Sequence, residues 1–214
     1  MRRLIRENAV FFVPYFFLLS CCFIVQLWIS SPELTFRINA AHAGQFDLIF
    51  QLFTDIGDGL TTILICGLLL FVSYGRALVL LVVSNLAGLL AAIIKKFITS
   101  PRPYLYFEFH HPALHFVPGV QVFRDHSFPS GHTTTAFSMA VLLVLASKNR
   151  AFKLFCLVLA ICVGWSRIYL GEHFFADVVG GSLLGTVTSL VCLYFIQKSK
   201  LPEQPWFDSS LFTR

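Results

Sequence analysis

Charge is what this sequence has least of. Only 13% of its 214 residues are Asp, Glu, Lys or Arg, against about a quarter in a water-soluble domain. A surface so poor in charge leaves lipid, rather than water, as the solvent for much of the exterior. Apolar residues fill the gap: 57% of the chain is hydrophobic and mean hydropathy is +0.76.

Other absences narrow the choice. The cysteines (Cys21, Cys22, Cys66, Cys156, Cys162, Cys192) sit in apolar runs, with no C-x-x-C pair and no spacing suited to a metal. Cysteine so placed acts as a small apolar residue, and it says nothing of redox compartment. Net charge is +5 and the pI near 9.0, yet no basic run interleaved with aromatics and no nucleic-acid motif accompanies it. Nucleic acid is therefore not expected as a partner. No stretch alternates with period two, which removes barrel strands.

What is present is a set of six apolar runs, at roughly 9–29, 59–73, 77–94, 133–147, 151–166 and 174–196. The second, fourth and fifth fall short of the ~20 residues of a straight span, but uncharged flanks can lengthen them. The expectation is an all-α, polytopic membrane bundle of six transmembrane helices, one domain over residues 1–214. The first run follows Arg2, Arg3 and Arg6 and lacks a convincing small-x-small cleavage site, so it reads as an uncleaved helix.

With both termini cytoplasmic, ten of the sixteen Lys and Arg fall inside: Arg2, Arg3, Arg6, Arg76, Lys148, Arg150, Lys153, Lys198, Lys200 and Arg214. That is the direction of the positive-inside bias. The other six, Arg37, Lys95, Lys96, Arg102, Arg124 and Arg167, then lie outside and call for a polyanion. Two long connections, 30–58 and 95–132, face the same side. Gly181 and Gly185 suit close helix packing, Asp55 and Asp58 suit a cap on the second run, and Tyr15 and Trp28 suit span and interface packing.

Three clusters mark the outer helix ends: Lys95 with Arg102-Pro103; Phe128-Pro129-Ser130-Gly131-His132; and Ser166-Arg167 followed by His173 and Asp177. Lys95, Arg102 and Arg167 offer cations, and an arginine fork matches phosphate oxygens. Ser130 and Gly131 open a helix whose first N–H groups lack internal partners, a natural anion seat. His173 and Asp177, four apart, would share a helix face. The carboxylate would accept from one ring nitrogen and leave the other aimed at substrate. His132 stands beside the seat, placed to protonate a leaving oxygen. Together these describe phosphoryl transfer to His173, with fixed cations in place of a metal.

The ordered pattern Lys-x6-Arg-Pro, Pro-Ser-Gly-His and Ser-Arg-x5-His-x3-Asp resembles the type-2 phosphatidic acid phosphatase superfamily, by motif over about residues 90–180. That resemblance implies a helical bundle shared with vanadium-dependent haloperoxidases, six spans in membrane members, and an outward-facing site. It implies His173 as nucleophile, His132 as acid/base and Asp177 as orienting carboxylate. Lys95, Arg102, Ser130, Gly131 and Arg167 would be the phosphate ligands. No cofactor is expected.

The function so indicated is a lipid phosphatase of a bacterial-type inner membrane, with membrane lipids around it and a lipid phosphate as substrate. Undecaprenyl pyrophosphate, phosphatidylglycerol phosphate, phosphatidate and lipid A phosphate are candidates, chosen by the loop 104–127. A phosphotransferase using the same site and a non-catalytic lipid-binding or transport protein are the alternatives. Six apolar runs and short loops fit a membrane phosphatase better than a haloperoxidase. His110, His111, His115 and His126 raise a metal site. His111 and His115 are four apart, but Pro112 breaks the helix that would present both, and a loop role is preferred.

Overall fold

The computed structural model describes residues 2–109, 114–120 and 123–212. His110 and His111 lie outside the described residues, as does Arg214. Within them the chain is helical: α1 (Arg2–Glu7), α2 (Ala9–Trp28), α3 (Ser31–Ala40), α4 (Asp47–Ile56), α5 (Gly59–Leu70), α6 (Tyr74–Phe97), α7 (Pro103–Phe109), α8 (Gly131–Ala146), α9 (Arg150–Tyr169) and α10 (Phe175–Lys198).

The starts of these helices follow from local chemistry. Ser73, Ser130 and Asn149 each accept a backbone N–H from the first turn of α6, α8 and α9, and Asp58 accepts from Gly59 at the start of α5. A side chain placed there satisfies one of the donors that a helix leaves open.

Four helices, α2, α6, α9 and α10, are long and apolar enough to cross a membrane. A fifth candidate is the broken pair α4–α5, which bends by 61° at Gly57–Asp58. The expectation of six transmembrane helices is thus met in part. The segment 30–58, read as a connection, instead carries α3 and α4. The fourth apolar run is α8, whose 16 residues fall short of a span. Ten of those residues are buried, because α8 runs through the middle of the bundle against α6, α9 and α10. An enclosed helix meets little lipid and is free of the length rule that binds its neighbours.

The core gathers on α8. Phe11, Phe12 and Tyr15 of α2 pack with Phe137, Val141 and Val144 of α8 and Leu157, Ala160 and Val163 of α9. On its other side Met139 and Leu142 meet Val79, Leu80 and Val83 of α6 and Cys66 of α5. Ser138 bonds Ser189 of α10 at 2.8 Å, hydroxyl to hydroxyl. Outward faces carry exposed Phe17, Leu27, Trp28, Leu64 and Leu68, the pattern of a surface solvated by lipid.

Small residues set the closest approach. A Cβ at Gly185 would strike the Thr134 carbonyl of α8, and one at Gly181 would lie 2.6 Å from the Ser130 carbonyl. Because these contacts are to backbone, no rotamer change relieves them. Gly185→Val should lower the melting temperature in detergent by several degrees, whereas Gly67→Val, in open space, should leave it within a degree or two. Equal melting temperatures for both variants would contradict this packing.

Candidate active site

The three sequence clusters meet at one end of the bundle. Residues 100–102 lie beside 124–128: Pro101 and Asp125 form an isolated antiparallel bridge. Arg102 N–H donates to the Arg124 carbonyl, Ser127 N–H to the Ser100 carbonyl, and Phe128 N–H to Ser100 Oγ. This clip folds the long connection across the ends of α6 and α8. It sets Arg102 beside the third cluster, and Phe128 against Gly180 of α10.

Asp177 is the junction. Its Oδ2 accepts from Ser127 Oγ at 2.5 Å and from Phe174 N–H at 2.8 Å, and its main-chain carbonyl accepts from Ser130 N–H at 3.0 Å. The same Oδ2 lies 3.4 Å from His173 Nδ1. The expected common helix face is not how the pair is arranged. The helix α10 begins at Phe175, so His173 sits just before it and Asp177 in its first turn. The ring nevertheless turns Nδ1 to the carboxylate, which leaves Nε2 as the nitrogen free for substrate. The start of α10 is held from outside by α3: Thr35 Oγ1 accepts from Phe175 N–H and Ser31 Oγ from Ala176 N–H.

The cations are fixed by different partners. Lys95 Nζ donates to the His126 carbonyl at 2.9 Å. Arg102 Nε donates to the Asp125 carbonyl, and its Nη1 reaches Glu172 Oε2 at 2.9 Å. Arg167, 4% exposed, gives Nη1 to Thr54 of α4 and brings Nη2 to 3.3 Å from the same Glu172 oxygen. Its Nε, fully buried, has no partner. A buried guanidinium N–H without an acceptor is costly and marks a direction from which an anion can bind.

Ser130 is fully buried as the cap of α8. Its Oγ accepts from Thr133 N–H and Thr133 Oγ1, so its own proton remains to donate. Gly131 borders open space, with no atom within 4 Å of where a Cβ would stand. His132, half-buried in the first turn of α8, backs onto Gly57 at the α4–α5 break, where a Cβ would lie 2.9 Å from the His132 carbonyl. Lys95, Arg102, Ser130, Gly131, His132, Arg167, His173 and Asp177 therefore lie together at one end of the bundle.

Electrostatics follow from burial. The His173 ring is held well below the ordinary imidazole pKa, first by burial and then by the charges of Arg102, Arg167 and Lys95, with His132 adding in the same direction. Burial lowers Arg102, against the pull of Glu172. Burial raises the Glu172 carboxyl, against Arg167 and Arg102.

Three contributors went unread in the sequence. Glu172 stands inside the motif, and three cations with no counter-charge were a signal that one was near. Ser127 and Thr54 left no such signal. His115 and His126 are in the loop scaffold. His115 stacks on His42 at 3.6 Å and its backbone is bracketed by Asn39, while His126 supplies the carbonyl for Lys95. Among the described residues no three His, Cys, Asp or Glu side chains gather as a metal cage.

Similarity to known proteins agrees with this geometry. The model of the PAP2 superfamily matches residues 76–201. The chain is 42% identical over 80 residues to bacitracin transport permease protein BcrC of Bacillus licheniformis, covering 37% of this chain but only 38% of that one. It is 30% identical over 168 residues to phosphatidylglycerophosphatase B of Bacillus subtilis, covering 74% of this chain and 73% of the relative. The crystal structure of Aquifex aeolicus LpxE matches with a TM-score of 0.67 at 28% identity, over 76% of this chain and 93% of that one. With the family model matching more than half its length and three motif clusters meeting at one site, the chain belongs to the PAP2 superfamily.

Proposed function

We propose that this protein is an integral-membrane lipid phosphatase that works through a phosphohistidine on His173. The observation that carries the reading is the convergence of Lys95, Arg102 and Arg167, with the unpartnered Arg167 Nε, on a buried histidine whose Nδ1 faces Asp177.

In the proposed reaction His173 Nε2 attacks phosphorus and the bond to the lipid oxygen breaks. His132 delivers a proton to that departing oxygen. Water then attacks the phosphohistidine, the P–N bond breaks, and His132 takes the proton from water. Lys95, Arg102, Arg167, the Ser130 hydroxyl and the N–H groups opening α8 at Gly131 spread the charge on the phosphoryl oxygens. Asp177 keeps the ring in the Nδ1–H tautomer. No metal is assigned a role.

The site opens to the outer face of a bacterial-type inner membrane, both termini are cytoplasmic, and α8 makes the fourth of six crossings, enclosed by the others. The name of the Bacillus subtilis relative favours a glycerophospholipid monoester such as phosphatidylglycerol phosphate. Undecaprenyl pyrophosphate, phosphatidate and lipid A phosphate remain in the panel. Transfer of the phosphoryl group to an acceptor lipid needs the same site with water replaced.

Purified protein in detergent, given that panel with EDTA present, should release phosphate from at least one lipid, and His173→Ala should lose at least about 10³-fold in kcat. Release by the variant at the wild-type rate would reject the nucleophile. Release abolished by EDTA would reject the metal-free mechanism.

The depressed His173 pKa fixes a pH sign as well. The ring stays neutral in the folded protein while the unfolded chain takes a proton near pH 6.5. Stability from this group is therefore present above that pH and is lost as pH falls. The His173 ring resonances, identified by their absence in His173→Gln, should remain those of neutral imidazole at about pH 6. Titration with an ordinary midpoint would contradict the burial and cation field described.

A further inference from the structure

The proposed phosphate seat already contains an anion of its own. Glu172 precedes His173 directly, and its side chain is 3% exposed. A single oxygen, Oε2, bridges Arg102 Nη1 at 2.9 Å and Arg167 Nη2 at 3.3 Å, and the Glu172 carbonyl takes Arg102 Nη1 again at 3.3 Å. One carboxylate oxygen between two guanidiniums stands where a phosphoryl oxygen would bridge the same pair.

Neighbouring groups have other commitments. Lys95 is tied to the His126 carbonyl, and Arg167 Nη1 to Thr54. Asp177 is taken by Ser127 and Phe174 N–H. Among the described residues Glu172 is the one carboxylate that touches these arginines, and the buried Arg167 Nε is left without an acceptor. The pair is therefore only partly available to an incoming phosphate.

We propose that Glu172 is an internal competitor for the arginine pair, which shares both guanidiniums with bound phosphate and speeds release of the product. This rests on the phosphatase reading above. Three cations around a phosphate dianion, Arg167 buried and Lys95 and Arg102 half-buried, would hold substrate and product alike, and such uniform binding does not raise turnover. A fixed carboxylate cancels one of those charges and offers the guanidiniums a partner as phosphate leaves. It is a positioning residue, since it acts through Arg102 and Arg167 rather than on phosphorus.

A mere strut would give the opposite sign. If Glu172 only held the guanidiniums in place, its removal would weaken phosphate binding. If it competes, removing its charge strengthens binding. Glu172→Gln keeps volume and an acceptor oxygen while deleting the charge. Titration calorimetry of the full-length protein in detergent with inorganic phosphate should give a Kd about tenfold lower for Glu172→Gln than for wild type. With lipid phosphate, KM and kcat should fall together as release becomes limiting. Glu172→Asp withdraws the charge by one methylene and should tighten phosphate by a smaller factor, about threefold. It serves as the test should the Gln variant not fold. Unchanged or weaker phosphate binding in the folded variants overturns the competitor role alone. A wild-type protein that binds no phosphate overturns the seat, and the phosphatase reading with it.

Discussion

Asp177 holds together parts of the chain that sequence keeps far apart. Its carboxylate takes the N–H at the start of α10 and the Ser127 hydroxyl, and it faces the His173 ring; its carbonyl takes Ser130 N–H at the start of α8. One residue thereby fixes two helix starts, a loop and the candidate nucleophile in a common frame. Such a junction is affordable because Oδ2 accepts from both Ser127 and Phe174 N–H, since a carboxylate 4% exposed and without partners would be severely destabilising. The frame is completed from α3, whose Ser31 and Thr35 close the end of α10.

The same constraint shapes the cations. In a chain with so few charges, Lys95, Arg102, Arg167, Glu172 and Asp177 lie within one small region, the cations tied to carbonyl, hydroxyl or carboxylate oxygens, Glu172 to the two guanidiniums and Asp177 to Ser127 and Phe174 N–H. Low dielectric makes their fields strong, which keeps His173 neutral and makes the arrangement responsive to a single added or removed charge. Close approach of α8 and α10 at Gly181 and Gly185 is what brings the two helix starts within reach of one another.

Much of this was legible in the sequence because its signals are short-range or periodic. Hydropathy located α2, α6, α9 and α10 within a few residues, and the three motifs named Lys95, Arg102, Ser130, His132, Arg167, His173 and Asp177. Hydropathy did not reveal the helix α4 that meets the second apolar run at the Gly57 bend, because α4 mixes Asp47, Gln51 and Asp55 with apolar residues. It also could not tell an enclosed helix such as α8 from a lipid-facing one, since both are apolar. Glu172 reaches Arg102 across 70 residues, Ser127 reaches Asp177 across 50 and Thr54 reaches Arg167 across 113, and such pairings appear only in three dimensions. The His173–Asp177 spacing suggested the right pair for an inexact reason: the link is made across a helix start rather than along a helix face.

The most direct test of the frame around His173 is to trap the covalent intermediate. Protein mixed with a lipid phosphate carrying ³²P and quenched within milliseconds should yield label on the protein that is lost in acid, survives base, and maps to the peptide containing His173. Label absent from wild type on every turned-over lipid, or present at equal level in His173→Gln, would contradict the assignment.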